Sequence, residues 1–395
     1  ARERSGPVTV TAPTGFLAAG IAVGLKSNGN PDLALVVNRG PLSSAAAVFT
    51  SNRAQANPII WSKQVIADGE VSAIVLNSGG ANCFTGAEGF QTTHATAEAV
   101  AESLQRLDAD VSAGDVLVCS TGLIGLQLDR EKLLPGVAAA AGALRADGGA
   151  AAARAIMTTD SHPKTAIRAR NGWTIGGMAK GAGMLAPGLA TMLVVITTDV
   201  DLSSAELDTA LRAATRVSFD RLDSDGCMST NDQVTLMASG ASGIRPDLAL
   251  FTEMLTELCL DLATQLQADA EGASHDITIE IVNAASEDDA VEVGRSIARN
   301  NLFKAAVFGN DPNWGRVLAA IGTTSAEFDP YAVDVSMNGV RVCSNGGPDR
   351  PREEVDLSPR ATHVLVDLKA GEQTATIFTN DLTHDYVHEN SAYSS

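Results

Sequence analysis

The sequence predicts an α+β protein of layered sheets and helices, on three observations. Short apolar runs of strand length alternate with turn residues throughout the 395 positions. Two of the four Asn-Gly pairs, Asn171-Gly172 and Asn338-Gly339, each sit between such runs. A few longer segments repeat their apolar residues at helical spacing. Asn-Gly supplies the positive φ angles of a type I′ turn joining antiparallel strands. Hairpins mixed with helices favour α+β layers over a doubly wound parallel sheet.

In chain order, Leu33 to Val37, Ala45 to Thr50, Ala73 to Leu76 and Val116 to Cys119 read as strands. Glu88 to Leu107 has apolar residues at helical spacing. The Ala-rich stretch from Val137 to Met157 carries Arg145, Asp147 and Arg154, so it reads as a helix and not as a lipid-embedded segment. The first Asn-Gly hairpin follows, its second strand leading toward Lys180, and Thr191 to Thr197 is the next strand. Ser203 with Glu206 forms a capping box that opens an amphipathic helix. Pro246 to Ala268 places Phe251, Leu255, Leu258, Leu262 and Leu266 near one helical face. Ile277 to Ile281 alternates as a half-buried strand, Ser286 to Phe303 reads as one helix, and strands at Val364 to Leu368 and Thr374 to Phe378 finish the chain. A domain boundary is expected near Asn283.

Composition excludes several functions. The net charge is −19 and no dense Lys/Arg run offsets it, so nucleic acid is not expected as a partner. No stretch reaches the ~18 uninterrupted apolar residues of a membrane span, and no signal peptide is expected. A cytoplasmic protein is expected. The five cysteines are dispersed, form no C-x-x-C and have no metal-ligand spacing. Reduced, mostly buried thiols are the expectation, with no bound metal. G-x-S-x-G, H-E-x-x-H and phosphate-loop signatures do not occur.

The chemistry is suggested by Lys180 to Leu193, a Gly/Pro-rich loop that ends at Thr191 and runs into Leu193-Val194-Val195-Ile196. A threonine hydroxyl alone is a poor nucleophile. At a freed N-terminus its own α-amine, with a pKa of about 7.7–8.0, can act as general base. By itself this pattern also fits a threonine that merely opens a strand.

Five further segments accompany it in order: Val118 to Gly125, Ala155 to Asp160, Glu271 to Ser274, Phe308 to Arg316 and Asp381 to Ser395. Together the six resemble the ornithine acetyltransferases, or glutamate N-acetyltransferases, of arginine biosynthesis, over nearly the whole chain. That resemblance implies a sheet–helix sandwich of the N-terminal-nucleophile type, about 1–283, with a smaller C-terminal α/β domain, about 284–395. It implies self-cleavage between Ala190 and Thr191 into fragments 1–190 and 191–395, pairing of two copies of each in a heterotetramer, and no organic cofactor. Thr191 would be the nucleophile, and Thr121 with Gly122 the oxyanion donors. Thr158, Lys180, Glu271, Asn390 and Ser395 would contact substrate, with Thr158 weighted above Thr159. The implied reaction moves acetyl from N2-acetylornithine to glutamate. Alternatives are additional use of acetyl-CoA, hydrolysis by a self-cleaving amidohydrolase or aminopeptidase of similar architecture, or binding without catalysis. Trp314 and Arg316 are expected to be structural, with Arg316 pairing an acid. Gly80, His162, Cys227, Met228 and His275 depart from the usual family residues.

Overall fold

The computed structural model describes residues 9–107, 109–186 and 192–392. They fall into two units. The first comprises Ala1–Ala182, Gly188–Phe219 and Met228–Leu266; the second comprises Gly183–Pro187, Asp220–Cys227 and Gln267–Ser395.

The first unit runs β1 (Phe16–Ile21), β2 (Leu33–Asn38), β3 (Ser44–Phe49), α1 (Asn57–Val65), β4 (Ala73–Asn77), α2 (Gly86–Gln105), β5 (Val116–Ser120), α3 (Arg130–Gly142), α4 (Gly149–Ala155), β6 (Lys164–Arg170), β7 (Trp173–Lys180), β8 (Leu193–Thr198), α5 (Ser204–Val217), β9 (Gln233–Ala238) and α6 (Leu248–Ala268). One sheet has the order β1-β2-β4-β5 and the other β3-β9-β8-β7-β6. Strand β2 is buried along its full length, which explains an apolar run without alternation: both of its faces are covered. Leu33, Leu35 and Val37 pack against Val100 and Leu104 of α2 and Val137 of α3. Val36, Ile74 and Leu117 pack against Met178, Val195 and Met237 of the other sheet. On that sheet's far side Phe251 of α6 lies 5.8 Å from Trp173. A Cβ on Gly177 would come within 3.1 Å of Leu258 and Leu262, so this glycine lets α6 approach the sheet. The layering is helix, sheet, sheet, helix.

The second unit contains β10 (Asp276–Ala284), α7 (Glu287–Ala298), α8 (Asn301–Phe308), α9 (Trp314–Ile321), β11 (Asp334–Met337), β12 (Val340–Ser344), β13 (Gly347–Pro348), β14 (Ala361–Asp367), β15 (Gln373–Asn380) and α10 (His384–Ala392). Its sheet order is β13-β12-β11-β14-β10-β15. Ile277, Ile279 and Ile281 share one core with Val293, Ile297 and Ile321. His275 is buried with Nδ1 2.8 Å from Asp381 Oδ2 and Nε2 2.8 Å from the Leu357 carbonyl oxygen. No helix among the described residues is long and apolar enough to cross a membrane.

Four expectations change. The Ala-rich stretch is two helices, because Arg145 exchanges backbone hydrogen bonds with Ala18 of β1 and pulls the chain out of helix. Ser286 to Phe303 is also broken: Asn300 caps α8, its side chain accepting from Phe303 N–H at 2.9 Å. Asn283 lies within β10, which pairs with both β14 and β15, so a boundary there would cut a sheet; the second unit's main segment starts at Gln267. Among the described residues Arg316 bonds the Leu302 carbonyl oxygen at 2.6 Å and not an acid, while Trp314 does pack on the core.

Gly148 and Gly142 provide a matched test of the break. A Cβ on Gly148 would lie 1.8 Å from the Ala18 carbonyl oxygen, whereas one on Gly142 meets nothing within 4 Å. Gly148→Ala should cost about 1–3 kcal/mol in urea unfolding. Gly142→Ala, at the end of α3, should be neutral or stabilise by up to about 1 kcal/mol.

Candidate active site

The first cluster forms where β5 ends. Thr121 N–H donates to the Asn77 carbonyl at 2.9 Å, and Gly80 N–H donates to the Thr121 carbonyl at 3.0 Å, closing the turn. Gly122 has φ +130°, and a Cβ there would stand 2.8 Å from the Gly80 nitrogen. Both facts require glycine. The Gly122 N–H makes no hydrogen bond among the described residues, so a donor stands ready beside the buried Thr121 hydroxyl.

Lys180 closes β7 and is 1% exposed. Its Nζ donates to Thr121 Oγ1 at 3.1 Å and to Thr158 Oγ1 at 2.7 Å. Asp160 organises the surroundings: Oδ1 accepts from Lys164 Nζ and from Gly181 N–H, both at 2.7 Å, and Oδ2 accepts from Thr158 N–H at 3.0 Å. Burial pushes the Lys180 ammonium below its ordinary range, and Asp160 opposes that fall. Burial alone would raise Asp160, yet Lys180 and Lys164 hold it at about 2.

In the second unit, Glu271 lies three residues beyond α6 and accepts from Asn390 Nδ2 of α10 at 2.9 Å. Gly183 makes room for that carboxylate, since a Cβ would lie 2.5 Å from Glu271 Oε2. Glu271 lines a cavity of about 70 Å³ with Asp225, Lys304 and Tyr386. Burial raises Asp225 and lowers Lys304. The structure therefore groups Thr121, Gly122, Thr158 and Lys180 in one unit, and Glu271 with Asn390 in the other. Ala190, Thr191 and Ser395 lie outside the described residues. The described residues resume at Met192, just before β8, and its N–H donates to Asp232 Oδ1 at 3.1 Å.

Sequence reasoning missed Asp160, Lys164 and Asp232 as parts of the polar interior. Asp160 ends the segment Ala155 to Asp160 that was already singled out, and Asp232 lies a few residues beyond Cys227 and Met228. Nothing local marks Lys164 as fully buried, because only the closing of the hairpin onto Asp160 puts it there.

N–H and O–H donors converging beside a buried lysine suit a carbonyl oxygen that takes on negative charge, and the chain is an acyltransferase enzyme. It belongs to the ArgJ family, which matches residues 17–395. It is 64% identical to "Arginine biosynthesis bifunctional protein ArgJ" of Streptomyces coelicolor, over 98% of this chain and 100% of that protein. The protein of the same name from Thermobifida fusca is 60% identical, also over 98% and 100%. A solved ornithine acetyltransferase from Mycobacterium tuberculosis, complexed with ornithine, is 52% identical and covers 47% of this chain and 96% of its own, with a TM-score of 0.45. The enzyme thus serves arginine biosynthesis.

Asp160 makes the pH dependence of folding specific. Its folded pKa of about 2 lies below the ordinary 3.8, so its stabilisation is complete above about pH 4 and is lost as pH falls toward 2. The shift corresponds to about 2 kcal/mol. Asp160→Asn should lower stability at pH 7 by about 3–5 kcal/mol, since it removes a buried carboxylate that is hydrogen-bonded to Lys164 and acts on the buried Lys180. It should also flatten the decline in unfolding free energy between pH 5 and 3, measured by urea titration.

Proposed function

We propose that the enzyme transfers acetyl from N2-acetyl-L-ornithine to L-glutamate, giving L-ornithine and N-acetyl-L-glutamate. The reaction follows autoproteolysis between Ala190 and Thr191. The observation that carries this reading is Lys180 bound to the Thr121 and Thr158 hydroxyls beside the unengaged Gly122 N–H.

In the uncut chain the Thr191 hydroxyl attacks the Ala190 carbonyl, the Ala190–Thr191 C–N bond breaks as its nitrogen takes up the proton and becomes a free α-amine, and water hydrolyses the resulting ester to the Ala190 carboxylate and the Thr191 hydroxyl. In the mature enzyme that amine takes the hydroxyl proton while Oγ1 adds to the acetyl carbonyl. The developing oxyanion is held by Gly122 N–H and the Thr121 hydroxyl; one such donor is worth about 3–4 kcal/mol of barrier. The C–N bond then breaks, the proton passes to the departing nitrogen, and ornithine leaves. Glutamate's amine attacks the acetyl-threonine and regenerates the hydroxyl. Lys180 serves as the cationic partner of a substrate carboxylate, oriented by Thr158. Glu271, steadied by Asn390, supplies the anionic partner for a substrate ammonium, and Ser395 contributes from the C-terminus. The two fragments remain together, in a cytoplasmic α2β2 assembly.

The word bifunctional in the relatives' names favours a second reading alongside the first. An acetyl-threonine loaded from acetyl-CoA would acetylate glutamate by the same second half-reaction.

Thr191→Ala should run as one full-length band on a denaturing gel and lose more than about 10³-fold in ornithine release. The wild-type protein should yield two fragments, the second beginning Thr-Met-Leu-Val. Its ornithine release should require glutamate. Glutamate-independent release would favour an amidohydrolase, and an active full-length chain would contradict the assigned nucleophile.

A further inference from the structure

The proposed reaction sets the second unit a problem of charge. In N2-acetylornithine the α-nitrogen carries the acetyl group, so the ammonium that Glu271 meets is the one ending the side chain. Glutamate must then bring its own α-nitrogen to the place that ornithine's α-nitrogen leaves. Its side-chain carboxylate oxygens lie as many bonds from Cα as the terminal nitrogen of ornithine. A cation and an anion therefore take turns in one subsite, and Glu271 alone would repel the second.

Lys304, on α8, is 5% exposed. With Glu271 and Tyr386 it lines the cavity of about 70 Å³, which has room for a charged head group and not for a whole amino acid. An ammonium has three N–H donors. Among the described residues Nζ uses one of them, on the Ser224 carbonyl oxygen. The acids around it are engaged by other groups. Asp381 accepts from the N–H and hydroxyl of Ser274 and from the N–H of His275, and lies 2.8 Å from His275 Nδ1. Asp225 accepts from Met184 N–H at 2.8 Å, Cys227 N–H at 3.1 Å and the Tyr386 hydroxyl at 3.4 Å. Asp223 Oδ2 accepts from Arg299 Nε at 2.7 Å. Buried polar groups in proteins are nearly always hydrogen-bonded, so a lysine with donors to spare beside a cavity marks the place of an acceptor. Burial lowers the Lys304 ammonium, while Asp225, Asp223 and Asp381 oppose that fall. An arriving carboxylate opposes it further.

We infer that Lys304 is the specificity residue for the acetyl acceptor: its ammonium pairs the side-chain carboxylate of glutamate, in the subsite where Glu271 pairs the terminal ammonium of N2-acetylornithine. This rests on the substrate role given to Glu271 above. Because Lys304 hydrogen-bonds no acid among the described residues, it can meet the ligand without breaking an internal ion pair.

Lys304→Gln keeps an N–H for the Ser224 carbonyl and removes the charge. Two acceptors separate its effects. Discharge of the acetyl-enzyme by labelled ornithine, read as label entering N2-acetylornithine, calls only on Glu271; discharge by glutamate calls on Lys304. The variant should lose about 30-fold or more in kcat/KM for glutamate, mostly through KM, while the exchange changes by less than about threefold. The wild-type preference for glutamate over its uncharged isostere glutamine should shrink by a similar factor, and Lys304→Arg should recover part of it. Both rates come from one sample, so their ratio does not depend on the folded fraction. If the single variant yields no folded protein, Lys304→Gln combined with Asp225→Asn keeps the charge balance of the cavity and decides the same ratio. Equal losses with ornithine and glutamate would make Lys304 a structural cation only. An unchanged preference for glutamate over glutamine would leave its carboxylate to another group. Either result overturns the inference. A wild-type protein that passes acetyl to ornithine and never to glutamate removes the proposed function as well.

Discussion

Two ammonium groups buried around one carboxylate constrain the first unit more than any other interaction. Lys164 and Lys180 are 0% and 1% exposed, and Asp160 is the carboxylate that both act upon. Removing such groups from water costs several kcal/mol each, so the cluster persists only where its remaining protons have partners. They do: the Gly181 N–H and Thr158 N–H bond Asp160, and Lys180 bonds the Thr121 and Thr158 hydroxyls. The arrangement makes the cluster a coordinate frame. It ties the end of β7, the start of β6 and the turn after β5 to one charge.

The same frame holds the tight turn at Thr121 and Gly122 in place. Gly122 approaches Gly80 closely enough that any side chain would collide with backbone, and the departure of this chain at position 80 leaves that contact intact. Around it, side chains reach backbone over long sequence separations: Asn231 to Ala81 and Ser120, Asp232 to Met192. A polar interior of this kind is costly if any partner is missing, so it favours a single geometry. Precise placement of donors is what stabilisation of a transition-state charge requires. The second unit contributes different chemistry, an acidic cavity in which Glu271 and Asp225 stand near a buried Lys304.

Much of this was legible in the sequence, for identifiable reasons. The hairpins at Asn171-Gly172 and Asn338-Gly339 were legible because positive φ at both turn residues is a local demand, met here with φ of 53° and 87° and of 45° and 83°. The Ser203 capping box was legible because both partners lie within four residues. The family resemblance marked Thr121, Gly122, Thr158 and Lys180, whose grouping no local spacing reveals. What was not legible depends on distant partners. Arg145 leaves its helix to pair with Ala18, more than a hundred residues away. Lys164 looks like an ordinary surface lysine until the fold buries it. Arg316 finds a carbonyl where an acid was expected, that of Leu302 in the first turn of α8.

The most direct test of the central claim is intact-mass analysis of the purified protein after brief exposure to N2-acetylornithine without glutamate. The account predicts one added acetyl group, carried by the fragment that begins at Thr191 and discharged when glutamate is supplied. Ornithine release with both fragments left unmodified, or an acetyl group on residues 1–190, would contradict it.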